Sequence, residues 1–163
     1  MEFEGTRHVP VSAEKAWNAV SDLAGYAGVA PTISRVEMTG EAGLAAKRRC
    51  YDASGNGWDE VCTLWQPGEA FRMSVDTSTY PRRLRMLFKS FEGEWRVSPS
   101  AEGGSDITLR FVAQPRNALA NVILRASRRS VHRAIERVLD GYEHQLLRDG
   151  QEGSTPSIRE QAL

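Results

Sequence analysis

Cysteines and long apolar runs are both scarce in this sequence. The 163 residues include only Cys50 and Cys62, which are too few for the disulfide framework of a small secreted domain, and no paired C-x-x-C spacing indicates a metal site. The two cysteines flank a predicted hairpin turn, and we expect both to be reduced. No stretch approaches the ~18 consecutive apolar residues that a transmembrane helix needs.

Neither sign of charge is in excess. Lysine and arginine together number 21, as do aspartate and glutamate, so the net charge exerts no global attraction toward nucleic acid or an anionic membrane. The stretch "MEFEGTRHVPVSAEK" (1–15) carries acids and no apolar run, so we expect no standard export signal. We therefore predict a soluble cytoplasmic protein without a nucleic-acid partner and with at most a peripheral membrane contact.

Several kinds of catalytic and cofactor site lack support. His8, His132 and His144 are far apart in the sequence, which favours neither a metal site nor a Ser/His/Asp arrangement. The glycines of "SGNG" (54–57) form a predicted hairpin turn, and no Gly-rich phosphate loop follows a strand. We expect no metal and no cofactor.

The hydrophobic pattern changes its period twice along the chain. A short strand is predicted over 3–11, followed by a helix that Ser12 caps and by a turn or two around Tyr26. From residue 32 to about 115 the period is two and turn signals recur, which predicts six consecutive antiparallel strands. The pattern is then helical through about Leu147.

The chain is predicted to form one domain, which at this size buries roughly two-thirds of its accessible surface. We assign the domain to residues 1–148. Residues 149–163 have the Gly, Ser, Pro and charge content of a disordered tail. The fold class is α+β, with an antiparallel sheet of about seven strands, two short helices after the first strand and a long C-terminal helix.

Glu60 lies in "WDEVCTLWQPGEAFRMSV" (58–75), a predicted pair of strands joined at Pro67-Gly68. Residues opposite each other on paired strands share a sheet face. With Gln66 opposite Glu69, the predicted pairs are Leu64 with Phe71, Cys62 with Met73, and Glu60 with Val75. Alignment of the later strands adds further residues to this apolar face: Phe91, Gly93, Trp95, Leu109 and Phe111.

Glu60 is therefore predicted to point inward, and the alternative is a rim charge paired with Arg49. A bare carboxylate in a dry core costs several kcal/mol, so an inward Glu60 must be protonated, paired with a cation or beside water. Arg7 is a candidate cation, with an exposed position at the strand edge as the favoured alternative, and Tyr51 could supply a hydroxyl group but is more simply read as an ordinary strand aromatic. Gly93 either leaves a gap in the wall or marks a strand bulge.

The C-terminal helix carries two apolar stripes about a quarter-turn apart, which predicts a bend near 127–130 or a first half that covers a pocket mouth. Four arginines also follow one another at i+4 spacing: Arg125, Arg129, Arg133 and Arg137. Like-charge neighbours at this spacing repel one another, so we expect acidic residues or an anionic partner close to them. This arginine stripe is either a solvated face offset by Glu136, Asp140 and Glu143, or a surface that docks onto lipid or nucleic acid.

The element order and three stretches carry a resemblance to a known family. These are "VPVSAEKAWNAVSDLAGYAGVAPTISRVEM" (9–38), "DEVCTLWQPGEAFRMSV" (59–75) and "FEGEWRVSPSAEGGSDITLRF" (91–111). The sequence resembles the polyketide cyclase/dehydrase branch of the START-like helix-grip superfamily. The resemblance implies a curved sheet wrapped around the C-terminal helix, enclosing a cavity for a hydrophobic or amphipathic molecule. It also implies that Glu60 matches an acidic position of that strand and that 77–87 lies at the entrance.

Three functions follow as hypotheses. The first is binding of a lipid-like, polyketide-like or aromatic ligand, with Glu60 as polar anchor, in a monomer or weak homodimer. The second is a cyclase, aromatase or dehydratase with Glu60 as the acid/base, and the third is an interaction module that uses the arginine stripe. The candidate ligand-binding residues are Glu60, Cys62, Phe71, Met73, Val75, Phe91, Gly93, Trp95, Leu109, Phe111, Tyr51 and Tyr80.

Overall fold

The computed structural model describes the backbone of residues 1–152 and the side chains of residues 1–150. A single sheet and four α-helices make up the fold. In the described part of the chain, no helix combines the length and apolarity needed to cross a membrane. The elements are β1 (Glu2–Val9), α1 (Ala13–Val20), a 3₁₀ helix (Gly25–Gly28), β2 (Arg35–Thr39), β3 (Lys47–Tyr51), β4 (Gly57–Gln66), β5 (Ala70–Val75), α2 (Arg82–Leu87), β6 (Phe88–Pro99), β7 (Ser105–Pro115), α3 (Ala118–Ala126) and α4 (Arg128–Glu152).

The seven strands form one antiparallel sheet in the order β1-β7-β6-β5-β4-β3-β2. Strands β2 to β7 make the predicted six-strand meander, and β1 joins it at the β7 edge. The predicted α+β class is confirmed, as are the two short helices after the first strand. Helix α2, inside the segment 77–87, was not predicted.

The β4-β5 hairpin confirms the predicted register near Glu60 and corrects it near the turn. Glu60 pairs with Val75 and Cys62 pairs with Met73. The predicted pairing of Leu64 with Phe71 is wrong, because the register shifts between Cys62 and Leu64 and brings Trp65 opposite Phe71. A bulge of this kind adds one residue to one strand and flips the side chains that follow.

The turn explains the bulge. The Glu69 amide donates to the Gln66 carbonyl at 3.0 Å, and Gly68 has φ +82°. With Pro67 before that glycine, this is a type II turn. The twist of a type II turn does not match that of the flanking strands, and a bulge relieves the mismatch.

The centre of the sheet has the predicted inward face. Met73 pairs with Gly93, Phe71 with Trp95, and Trp95 with Leu109. The rings of Phe71 and Trp95 stack with their centroids 4.9 Å apart and 7° between their planes. Offset stacking of large rings adds to the burial energy of the core.

The C-terminal helical segment is broken at Ser127, which confirms the predicted bend. Helix α4 packs its apolar stripe against the sheet, and Ile135, Tyr142 and Leu146 are almost fully buried. Helix α4 extends through Glu152, so the proposed domain boundary after residue 148 falls inside it. The remainder of the predicted disordered tail lies outside the described residues.

Arg7 ties β1 to α4. Its guanidinium group bonds to Glu136 at 2.9 Å and to Glu143 at 3.1 Å, and it also pairs with Asp140. Arg7 is therefore not the cation that neutralises Glu60. The four arginines of the stripe are exposed, as the solvated-face alternative expects, while the three acids form their ion pairs with Arg7.

Helix α4 passes very close to the backbone that follows the 3₁₀ helix. A Cβ atom at Gly141 would lie 2.5 Å from the Val29 carbonyl oxygen and 2.8 Å from the Val29 Cα. Backbone atoms cannot move aside as the end of a flexible side chain can. Only glycine fits at this crossing.

We predict that Gly141→Ala lowers the free energy of unfolding by about 1–3 kcal/mol, because overpacking here displaces backbone. The control is Gly150→Ala in the same helix, where the nearest atom, Lys15 Nζ, is 3.9 Å from the added Cβ. Alanine is the better helix former, so the control keeps or gains stability. Chemical denaturation measures both variants, and a more stable Gly141→Ala protein would contradict the close approach.

Candidate functional site

A buried ion pair joins Arg48 of β3 to Glu60 of β4. The two residues are directly opposite each other in the sheet, and the Arg48 Nε and Nη2 atoms donate to Glu60 Oε2 at 2.8 Å and 2.7 Å. The side chains are only 1% and 9% exposed. Glu60 therefore points inward as predicted. The alternative pairing with Arg49 is wrong, because Arg49 bonds to Asp59 on the other face.

The remaining polar atoms of the buried ion pair also have partners. The Trp58 indole N–H donates to Glu60 Oε1 at 2.8 Å. The Arg48 Nη1 atom lies 3.5 Å from the Leu23 carbonyl oxygen. The guanidinium carbon is 4.6 Å from the ring centroid of Tyr26 and 5.7 Å from that of Trp95. An ion pair can be held in a low-dielectric interior only with such additional contacts.

Burial and the ion pair set the protonation of the groups nearby. Burial opposes the charged form of Arg48, but the Glu60 carboxylate outweighs it and raises the pKa of Arg48. Burial, then the Glu60 charge, raises the pKa of Tyr80 above its usual value. Burial likewise raises the pKa of Tyr26. Near neutral pH the guanidinium group is therefore charged and both phenols are neutral.

An inner cavity of about 170 Å³ lies against the buried ion pair. Five of its lining residues were missed by the sequence analysis: Tyr26, Thr32, Ile33, Arg48 and Trp58. The candidate residues that line it are Glu60, Met73, Val75, Tyr80, Phe91, Gly93, Trp95 and Phe111.

The other four candidates lie elsewhere. Cys62, Phe71 and Leu109 are buried in the core beside the cavity, and the Cys62 thiol donates to the Leu64 carbonyl. The prediction for Tyr51 is wrong, because it pairs with Gly57 rather than Glu60. Its hydroxyl group donates to Glu37 at 2.8 Å, away from the cavity.

Gly93 leaves no gap in the cavity wall. A Cβ atom there would lie 2.8 Å from the six-membered ring of Trp95 and 3.2 Å from the Phe111 ring. Strand pairing continues through Gly93 on both sides without a bulge. The residue therefore allows the Trp95 indole to lie across the strand.

Sequence periodicity could have found Arg48 but not Tyr26. Ala46, Arg48 and Cys50 alternate as buried residues along β3 and its approach, so Arg48 shares the face of Cys50. The short 3₁₀ helix and the loop before β2 supply Tyr26, Thr32 and Ile33, and this stretch is too short to show a period from which to infer a facing direction.

An outer pocket of about 290 Å³ adjoins the inner cavity. Tyr26, Thr32 and Phe111 line both spaces. Helix α4 contributes Arg133 and Arg137 to the outer pocket. Two members of the arginine stripe thus lie at a pocket, whereas Arg125 and Arg129 are on exposed surface outside it.

We predict that Glu60→Gln lowers the free energy of unfolding by about 3 kcal/mol or more, because it leaves a buried guanidinium charge without its counterion. The matched control is Asp59→Asn, which breaks the neighbouring exposed pair with Arg49 and should cost about 1 kcal/mol or less. Equal losses for the two variants in chemical denaturation would contradict this account of the site.

We predict that neither cysteine is alkylated by iodoacetamide in the folded protein at mildly alkaline pH. Burial, followed by the nearby Glu60 carboxylate, raises the pKa of Cys50 to about 12, and burial raises the pKa of Cys62. The thiolate is the reactive form. Both thiols should react after denaturation in guanidinium chloride, and rapid labelling of the native protein would contradict the burial. Mass spectrometry reads the result.

Several solved structures share the fold. The ZhuI aromatase/cyclase of Streptomyces sp. R1128 superposes with a TM-score of 0.74 at 19% identity, over 94% of this chain and 98% of that one. A protein of Thermus thermophilus gives 0.70 at 20% identity, over 95% and 100%. Norcoclaurine synthase of Thalictrum flavum gives 0.71 at 13% identity, over 92% and 96%. Identities this low establish the fold alone.

Sequence comparison assigns the family. No curated protein matches this chain in sequence. Residues 1–146, nearly the whole described chain, match the family described as "Polyketide cyclase / dehydrase and lipid transport". The START-like resemblance is thereby confirmed, and the chain belongs to the polyketide cyclase/dehydrase and lipid transport family.

Proposed function

We propose that this protein binds an amphipathic aromatic small molecule, with its rings in the inner cavity and an anionic group in the outer pocket. One observation carries the proposal: the buried ion pair of Arg48 and Glu60 borders a cavity whose other walls are mainly aromatic and aliphatic. A cavity and a buried ion pair both cost stability compared with a well-packed apolar core. Ligand binding gives a reason to keep both.

The size of the two spaces supports a ligand that occupies both. Pockets for drug-sized molecules measure roughly 300–1,000 Å³, and the inner cavity, at about 170 Å³, is smaller. The outer pocket adds about 290 Å³ across the shared residues Tyr26, Thr32 and Phe111. A ligand that fills the inner cavity therefore extends past these three residues.

The polar groups suggest the orientation of the ligand. Both oxygens of Glu60 already accept hydrogen bonds from Arg48 and Trp58. The buried Trp95 indole N–H belongs to the cavity lining and has no hydrogen-bond partner among the described residues, so a carbonyl or hydroxyl group of the ligand can accept from it. Arg133 and Arg137 favour a carboxylate or phosphate at the outer end.

The neighbours agree with an aromatic ligand. Norcoclaurine synthase has been solved in complex with dopamine and hydroxybenzaldehyde. Both molecules are single aromatic rings that carry polar substituents. By analogy of fold alone, we extend that ligand class to the inner cavity of this chain.

A second candidate function is a cyclase or dehydratase, and the Tyr80 hydroxyl favours it. Because the Glu60 carboxylate is already held by three N–H donors, it is a poor proton shuttle. Tyr80 keeps a neutral phenol at the cavity wall, which suits it to donate a proton to a substrate carbonyl. In this version Tyr80 replaces Glu60 as the acid, and the ion pair positions the substrate.

Native mass spectrometry of the freshly purified protein tests the cavity directly, because a retained small molecule reveals its own mass.

We predict that Arg133→Gln/Arg137→Gln weakens the binding of 2-naphthoic acid about tenfold, through the loss of charge-assisted hydrogen bonds. Binding of uncharged 2-naphthol should not change. Calorimetry measures both ligands.

The control is Arg129→Gln, a change in the same stripe outside the outer pocket. A uniform weakening by all three substitutions would show only long-range attraction. Absence of any binding to the unaltered protein would sink the proposal. Turnover separates the two functions: an enzyme converts an added polyketide thioester analogue and loses that activity in Tyr80→Phe, whereas a binding protein releases the molecule unchanged.

A further inference from the structure

Helices α2 and α3 together expose an apolar surface that no element in the described part of the chain covers. We call this surface the docking face. Arg116, just before α3, ties the start of that helix to α2: its Nε atom donates to the Arg85 carbonyl at 2.8 Å and its amide donates to the Leu87 carbonyl at 2.9 Å. The docking face consists of Leu84 (36% exposed), Met86 (62%), Leu119 (70%), Val122 (63%) and Ile123 (40%).

The docking face differs from an ordinary surface helix. Helix α3 already buries Ala120 and Leu124 against the protein, and a soluble helix of this kind carries polar residues on its other side. Here the other side is also apolar. Large contiguous apolar surfaces on soluble proteins mark sites of interaction.

Basic residues predominate around the docking face, although the acidic Glu2 lines a surface pocket together with Arg125 and Arg128. Segments 77–91 and 107–135 hold ten of the 21 basic residues of the chain and none of its 21 acids. Within residues 1–150, the exposed arginines of this surface form no ion pair: Arg82, Arg83, Arg85, Arg125, Arg128 and Arg129. By contrast, several arginines elsewhere in the fold are paired, such as Arg49 with Asp59 and Arg72 with Glu94.

We propose that the docking face binds the surface of an anionic phospholipid bilayer. Apolar side chains flanked by arginines are the features of a helix that lies in the headgroup region. Each basic residue near an anionic membrane contributes about 1 kcal/mol of attraction. The zero net charge of the chain conceals this local surface.

Other occupants fit the docking face less well. A second copy of the chain would bring two arginine-rich surfaces together, and their repulsion opposes the contact. Nucleic acid would satisfy the arginines but would leave the five apolar side chains without a partner. An anionic bilayer satisfies both features at once.

The docking face is adjacent to the inner cavity. Helix α2 leads directly into Phe88, whose ring lies 6.0 Å from that of Tyr80 and 5.3 Å from that of Phe91. Tyr80 and Phe91 both line the cavity. Membrane docking would therefore bring the bilayer within one layer of side chains of the cavity wall, although the docking itself does not require a ligand.

Co-sedimentation with vesicles tests this proposal on the full chain. We expect binding to vesicles of equal parts phosphatidylcholine and phosphatidylglycerol, weak or no binding to phosphatidylcholine alone, and a loss of binding as salt is added. Replacement of Leu119 by Asp should weaken binding at least tenfold. Leu44→Asp is its matched control, because Leu44 is 69% exposed and lies outside the docking face.

Two charge-reversing substitutions supply a second variant with its matched control. Arg125→Glu should weaken binding more than tenfold, since about fivefold is lost per unit of charge, while Arg148→Glu on exposed α4 changes it little. All four variants alter exposed side chains, and circular dichroism checks that they fold. Vesicle binding by protein that shows no calorimetric binding of 2-naphthoic acid would leave this proposal standing, so failure of the ligand proposal is distinguishable from failure of this one.

Three results would overturn the proposal: no binding to the anionic vesicles, equal losses in Leu119→Asp and Leu44→Asp, or equal losses in Arg125→Glu and Arg148→Glu. A fourth overturning result could come from sedimentation velocity, which measures self-association. Self-association that disappears in Leu119→Asp would make the docking face a homodimer contact instead.

Discussion

The buried ion pair of Arg48 and Glu60 constrains the rest of this structure. Two charges are stable in an interior only when their geometry is fixed and their remaining hydrogen-bonding groups are satisfied. The register of β3 and β4 meets the first condition, a fixed geometry, because it sets the two residues directly opposite each other. Trp58 and the Leu23 carbonyl meet the second. A slip of one residue in that pairing would turn one charge toward solvent and leave the other buried alone.

The C-terminal helix covers the sheet without filling the space beside the ion pair. Arg7 holds α4 to β1 through three carboxylates, and Gly141 lets the helix approach the backbone at Val29. Val138 is the last α4 residue that lines the outer pocket. The contacts of α4 with Arg7 and Val29 either follow Val138 along the helix or are on the side of the helix opposite the pocket. The helical segment is interrupted at Ser127, between α3 and α4. Helix α3 leaves Leu119, Val122 and Ile123 exposed, and these side chains form the docking face together with those of α2.

Local pattern was enough to predict most of the fold. Alternation of residues and turn signals determine which side chains share a face, and this reasoning correctly directed Glu60, Met73 and Trp95 inward. It failed at Leu64, where a type II turn forces a bulge that no alternation records. It also missed the partner of Glu60, because the choice between Arg48 and Arg49 depends on the β3-β4 register. The lining residues around Tyr26 come from irregular backbone, where tertiary packing alone decides orientation.

The most direct test of the central claim uses the four tryptophans as reporters of where a ligand lies. Trp58 and Trp95 line the inner cavity, whereas Trp17 and Trp65 pack against each other, with their centroids 5.4 Å apart, outside its lining. A ¹H–¹⁵N spectrum of the indole groups during titration with 2-naphthoic acid should shift the Trp58 and Trp95 signals and leave the other two in place. Shifts confined to Trp17 and Trp65, or no shift at saturating ligand, would contradict the claim that a ligand binds beside the buried ion pair.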